Sequence, residues 1–295
     1  MKLIPTLAML GACLPMIASA LDTARIEEMT GLKGTLNEEE KVFKVTSPRG
    51  DLGITVDEWK MPAFMGLTTW AAFIDGKENE VMVMGDFVLL QDEVNPVMSV
   101  LLDSGLSVTA LHNHFFNDDP KAYFMHIEGE GDAEKLAQGV RAALDKVKEI
   151  RTASPQPAKS FGGGIPEKSS ITTAPLVAVL DGKPAEKDGM VKFVFGRKTK
   201  IPCGCEIGKE MGVNTWAAFA GADDNAVVDG DFACLETELQ AVLKSLRASG
   251  INIVAIHQHM TLENPRYIFL HYWGRGPALA LGQAIKTALT KLHDK

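Results

Sequence analysis

Met65-Gly66-Leu67-Thr68-Thr69-Trp70-Ala71-Ala72-Phe73 returns as Met211-Gly212-Val213-Asn214-Thr215-Trp216-Ala217-Ala218-Phe219, an offset of 146 residues. From there the offset is 145: Gly85-Asp86-Phe87 returns as Gly230-Asp231-Phe232, Ser104-Gly105 as Ser249-Gly250, and Pro120, Gly129 and Gly131 as Pro265, Gly274 and Gly276. Ordered self-similarity at a fixed period marks repeated structural units. The chain is a tandem duplication, and whatever one half folds into, the other half must fold into as well. Residues 151–175, RTASPQPAKSFGGGIPEKSSITTAP, are rich in Pro, Gly, Ser and Thr and read as a linker. The units are then 21–150 and 176–295.

The periodicity within a unit changes from strand to helix and back. An apolar strand surrounds Trp70, and Val81 to Leu90 forms a second. Gln91-Asp92-Glu93 opens a helix, where acids suit the N-terminal end of the dipole, and Ser104-Gly105 closes it. Leu106 to His114 is apolar enough for a strand, Asn117-Asp118-Asp119-Pro120 is a turn, and Lys121 to Glu128 is the returning strand. Asp132 caps a helix whose apolar face runs Leu136, Val140, Ala143, Leu144, Val147. The expected class is α+β: two tandem units, each an antiparallel sheet with two helices. Each suits a ferredoxin-like β-α-β-β-α core with extra strands in front.

Six of the seven histidines fall in two copies of H-x-H-x11-H: His112, His114 and His126, then His257, His259 and His271. Residues two apart on a strand share a face. A neighbouring antiparallel strand brings the third imidazole within roughly 4.5–5.5 Å at Cβ. Such a cluster suits a metal ion at about 2.0–2.1 Å. Locally it is similar to the three-histidine arrangements of carbonic anhydrase and of cupins, in geometry alone. Burying unpaired imidazoles costs roughly 1–3 kcal/mol each, and a metal removes that cost; paired structural or pH-sensing histidines are the alternative. The expected ion is a divalent transition metal, zinc first and copper as the alternative, since imidazole serves several such ions. Glu128 follows His126 on the same face, as a fourth ligand or as a base acting on a metal-bound water. Trp273 holds the matching place in the second copy, which makes the first site the better catalytic candidate. Trp70 and Trp216 read as core residues. Asp86 and Asp231 read either as turn or bulge residues or as acceptors that orient a ligand histidine.

The first 20 residues combine Lys2, an apolar stretch and Ala18-Ser19-Ala20, the form of a cleaved export signal. Leu10-Gly11-Ala12-Cys13 offers the alternative of a lipid anchor on Cys13. No other segment reaches the length of a membrane span. Of the four cysteines, Cys203, Cys205 and Cys234 lie beyond the signal. In an exported chain they suggest one disulfide and one spare thiol, with Cys234 as partner to one of the other two. A net charge of −8 with no basic run speaks against nucleic acid.

Met84-Gly85-Asp86-Phe87-Val88-Leu89, Asp92-Glu93-Val94-Asn95-Pro96-Val97 and Val108-Thr109-Ala110-Leu111-His112-Asn113-His114 resemble the LppY/LpqO family of exported bacterial proteins and lipoproteins. The likeness spans nearly the whole mature chain. The second copy departs from it, with Leu235-Glu236-Thr237-Glu238-Leu239-Gln240 in place of the acidic stretch and Gln258 in place of Asn113. The resemblance implies export, a bacterial source and the tandem repeat, and it names no reaction. Three functions follow from the residues: an exported metal-dependent hydrolase or hydratase, a periplasmic metal carrier or buffer without turnover, or a module that clasps a small ligand without metal. The partners expected are a metal ion and a small-molecule ligand.

Overall fold

The computed structural model describes residues 21–77, 80–160 and 162–293. The expected signal and Cys13 lie outside them. In the first unit, helix α1 (Thr23–Thr30) precedes strands β1 (Gly34–Asn37), β2 (Val42–Pro48), β3 (Thr68–Asp75) and β4 (Val81–Leu90). Helix α2 (Val94–Asp103), strands β5 (Ser107–His112) and β6 (Ala122–Gly131) and helix α3 (Ala133–Ala153) follow. The second unit repeats this order: α4 (Thr173–Leu180), β7 (Ala185–Lys187), β8 (Met190–Gly196), β9 (Asn214–Ala222), β10 (Asn225–Leu235), α5 (Leu239–Ala248), β11 (Asn252–His257), β12 (Tyr267–Gly276) and α6 (Ala278–Leu289). Helix α3 reaches into the expected linker and α4 begins before its end, which leaves 154–172 between them.

The twelve strands form one sheet in the order β1-β2-β3-β4-β6-β5-β11-β12-β10-β9-β8-β7. Read from either edge, the units appear in the same sequence, so the sheet has a pseudo-twofold at its centre. There β5 and β11 cross antiparallel with Leu111 opposite Ile256. Within a unit, β6 lies between β4 and β5, antiparallel to both. Helix α2 therefore links two parallel strands that are separated by a third.

All six helices contribute to one apolar core on one face of the sheet. The core holds Phe73, Phe87, Val97, Leu101, Leu111 and Val140 with their counterparts Phe219, Phe232, Val242, Leu246, Ile256 and Ile285, each essentially closed to water. Each such side chain contributes about 1.5–3 kcal/mol relative to exposure. Asp132 caps α3 as its sequence requires, with Oδ1 accepting from the N–H of Lys135 at 2.9 Å. Among the described residues the opposite face carries two small apolar clusters under loops, one around Ile54, Leu67, Val88 and Phe124 and one around Val213, Ala233, Tyr267 and Phe269. The remainder of that face is open, and it carries the histidines.

Two amide side chains lock the units together across the centre. Asn95 of α2 donates from Nδ2 to the carbonyl of Ile253 at 3.0 Å and accepts its N–H at 2.7 Å. Gln240 of α5 does the same to Val108, at 2.9 and 3.0 Å. Each amide acts as one further rung of a strand that has no partner there, satisfying backbone groups that could not be left buried and unpaired.

Candidate metal site

Each histidine strand contains a β-bulge. Val108 pairs with Ile127 and Ala110 with His126, so Thr109 is the extra residue; Val254 is its counterpart between Ile253 and Ala255. An extra residue resets the alternation. Val108 and Leu111 both enter the core, and Ala110 and His112 both face the open side. His126 stands opposite Ala110 on one flank and opposite Asp86 of β4 on the other. His271 stands likewise between Ala255 and Asp231. The same four residues thus meet in each unit: Asp86 with His112, His114 and His126, and Asp231 with His257, His259 and His271.

In the first unit the Nε2 atoms of His112 and His126 are 3.1 Å apart. Their ring centroids are 5.1 Å apart, and those of His112 and His114 5.2 Å. His114 lies flat on Phe124, 3.3 Å between centroids and 3° between planes. The second unit repeats this: His257 is 5.0 Å from His271 and 5.1 Å from His259, and His259 lies on Phe269 at 3.5 Å and 10°. Here His259 Nε2 also approaches Asp231 Oδ2 at 3.4 Å. The turn after β5 is tied down by Asn113, whose Nδ2 donates to the carbonyl of Ala122 at 2.9 Å.

Asp86 and Asp231 are buried, at 8% and 2% exposure, and the Oδ1 of each has no hydrogen-bond partner. Burial raises the pKa of Asp86 against the pull of His126 and His112. Burial pushes Asp231 up to about 7, opposed mainly by His271. His114, His257 and His259 are all lowered, first by desolvation, which favours the neutral imidazole that binds metals. Each unit therefore holds a desolvated carboxylate with one unused oxygen beside three imidazoles.

Among the described residues no group of three or more His, Cys, Asp or Glu side chains is arranged to hold a metal ion. Two ligands at 2.0–2.1 Å on one tetrahedral centre lie about 3.3 Å apart, close to the 3.1 Å between His112 and His126. The unused carboxylate oxygens supply charge that neutral imidazoles lack. At the second site a cavity of about 440 Å³ opens between Trp216, Asp231, His259, Lys192 and Lys209.

Glu128 follows His126 on the same face, opposite Met84 and Ser107, and is exposed. The carboxylate that the register sets directly beside His126 is Asp86. Trp70 and Trp216 are not core residues. They stand half-buried on the open face, opposite Asp86 and Asp231, under Lys44 and Lys192 at 4.2 and 4.1 Å from the ring centroids. Cys234 is fully buried in the core, so it is no partner for the exposed Cys203 and Cys205, whose sulfurs lie 2.7 Å from each other. His293 has an exposed side chain and takes no part in either site.

Fold and site together define a duplicated α+β protein whose open sheet face carries two groups of three histidines and one aspartate, related by a pseudo-twofold. The chain belongs to the family described as Domain of Unknown Function (DUF1259), whose model matches it in two segments, residues 24–146 and 174–291. No curated protein matches. Among solved structures, a trimeric bacterial microcompartment shell protein, PduB, is similar at 12% identity over 87% of this chain and 89% of that one, with a TM-score of 0.22. Among the described residues no helix is long and apolar enough to cross a membrane.

Proposed function

We propose that this chain is an exported metal-binding protein, periplasmic or secreted, which holds one divalent transition ion in each histidine–aspartate group. His112, His114, His126 and Asp86 form the first set, and His257, His259, His271 and Asp231 the second. Zinc is the first ion expected and copper the alternative. The observation that carries this reading is the buried carboxylate oxygen without a partner beside three imidazoles, present in both copies. A bound ion would supply the missing partner to the carboxylate and Lewis acidity to a ligand at the open face.

The residues around the two groups then divide the work. Phe124 and Phe269 hold the middle imidazole of each set by stacking. Asp86 and Asp231 bind from behind, shielded from water. Glu128, exposed at the rim of the first site, is placed to accept a proton in a hydrolysis or hydration reaction; Trp273 cannot, so turnover belongs to the first unit. The two equal donor sets favour a second reading, a carrier or buffer without turnover. The motifs shared with the LppY/LpqO family and the split β4-α2-β5 crossover, which suits a ferredoxin-like core, accompany either reading.

Elemental analysis by inductively coupled plasma mass spectrometry tests the proposal on untagged protein. The comparison is with His112→Ala/His114→Ala and His257→Ala/His259→Ala variants. Two ions per chain, one lost in each variant, is the expected result. One ion, lost only in the first variant, selects the enzyme reading. No metal at purification, and no uptake of zinc or copper afterwards, overturns the proposal.

A further inference from the structure

Where β11 leaves β5 and takes its hydrogen bonds from Asn95, a cavity of about 600 Å³ opens beside the junction of the units. Arg247, Arg275 and Lys159 line it together with Trp273, Tyr123 and Asp92. Arg247 is the unusual member. Its Nε donates to Ser99 Oγ at 3.1 Å, and its Nη1 to the carbonyl of Ile251 at 2.7 Å and to Asn252 Oδ1 at 3.1 Å. All three acceptors are neutral. Burial alone lowers its pKa, to about 10.

Apart from Arg275, the other half-buried and buried arginines of this fold are matched by acids: Arg25 with Glu134, Arg49 with Glu93 and Asp51, Arg151 with Asp92 and Glu93, Arg197 with Glu238. Arg247 has no carboxylate partner among the described residues, and neither does Arg275, which donates to the carbonyl of Gly162. The one acid on the wall, Asp92, is already engaged by Arg151 and by the N–H of Ala158, although its Oδ1 has no partner. A desolvated cation without a counter-charge is costly, so the cavity is short of negative charge. The basic set is also particular to one side of the pseudo-twofold. At the offset of 145, Leu102, Glu128 and Glu130 stand where Arg247, Trp273 and Arg275 stand in the second unit. Duplication alone therefore does not account for it.

We propose that this cavity binds a small organic anion, a carboxylate or phosphate ester with an apolar or aromatic body. Arg247, Arg275 and Lys159 take the charge, and Trp273 and Tyr123 cover the body. Guanidinium groups suit both anions through paired N–H donors, and an indole beside them adds area at little entropic cost.

The test is isothermal titration calorimetry of the full mature chain, freed of metal, with phenyl phosphate as probe and phenol as its neutral control. The expected result is saturable one-to-one binding of phenyl phosphate, with phenol much weaker. Arg247→Met and Arg275→Met should each weaken it about 10-fold or more, the loss of one charge-assisted contact. The His112→Ala/His257→Ala variant should bind phenyl phosphate as the parent does, which separates this site from the metal groups. If Arg247→Met fails to fold, Arg275→Met and Trp273→Ala carry the test. The absence of saturable heat at millimolar phenyl phosphate overturns the proposal, as do folded variants that bind like the parent.

Discussion

Asp231 has one carboxylate oxygen closed to water and bonded to nothing. That arrangement costs roughly 1–3 kcal/mol unless something else completes it. An isosteric Asp231→Asn exchange removes the charge and much of that cost. In the metal-free chain the variant is expected to gain about 1–3 kcal/mol in urea unfolding. Its zinc affinity, read by competition with a chelating dye, should fall at least the roughly 10–100-fold that loss of a group merely supporting a ligand costs, since Asp231 is proposed as a ligand itself. A variant that is less stable without metal and binds zinc as the parent does would make Asp231 a structural residue. The imidazoles themselves were legible, because two strand-spaced pairs, each with a returning third histidine, do not arise from core packing alone. The aspartates were half-legible as part of the repeated Gly-Asp-Phe. The structure explains that glycine: a Cβ at Gly230 would lie 2.3 Å from the Trp216 carbonyl oxygen and 2.1 Å from the Tyr272 hydroxyl. The stacking roles of Phe124 and Phe269 were hidden, since an apolar residue two places before a strand histidine reads equally well as core.

At the scale of elements, the hydrophobic pattern gave Val81–Leu90, α2 and the capped α3, but not the short leading helices α1 and α4, which make three helices per unit where two were expected because eight residues carry too little periodicity to announce a helix. The bulges at Thr109 and Val254 were not readable, because an unbroken alternation through Val108, Ala110 and His112 looks equally regular. The amide rungs were hidden for a different reason: Asn95 and Gln240 act on strands of the other unit. Gln240→Ala leaves the N–H and C=O of Val108 unpaired beside the core and is expected to cost about 2–4 kcal/mol in urea unfolding. A loss below about 0.5 kcal/mol would show that water replaces the rung. The start of α5 is held by an ion pair instead. Glu238, fully buried, receives Arg197, the N–H of Leu235 and the N–H of His293. Burial pushes its pKa up, but these hydrogen bonds and the charge of Arg197 outweigh it and hold the carboxyl below the usual range. A lowered carboxylate stabilises the fold above its unfolded pKa of about 4.3, and the contribution disappears as pH falls through the lower folded value. Glu238→Gln should therefore cost about 3–5 kcal/mol at pH 7 and flatten the loss of stability between about pH 5 and 3. Urea midpoints measured across that range check both parts, and a variant with the parent's acid limb would remove Glu238 from the account.

For the molecule as a whole, the duplication announced two units but not that they share one sheet. Each unit ends its sheet in a histidine strand, and a strand edge exposes unpaired N–H and C=O groups that seek another strand. Here the two edges, β5 and β11, cover one another, with Leu111 against Ile256. His112 and His257 each lie one residue beyond that crossing and so share the open face. The join also puts the two histidine–aspartate groups on one face of the sheet. The sequence could not show this, since nothing within one copy says which edge meets its twin. A first unit produced alone, residues 21–153, would lose both the strand that pairs with β5 and the Gln240 rung on Val108. Such a unit is expected to associate through β5 into a twofold dimer that copies the natural junction, because the lost partner is its own homologue. Light scattering coupled to size exclusion reads the mass directly. A charged residue in place of Leu111 should break such a dimer and leave unfolded or aggregated chain, since the core side of the junction would then be open to water. A stable monomeric first unit, unchanged by Leu111→Glu, would mean that each copy closes its own edge and that the continuous sheet is a consequence of linkage alone.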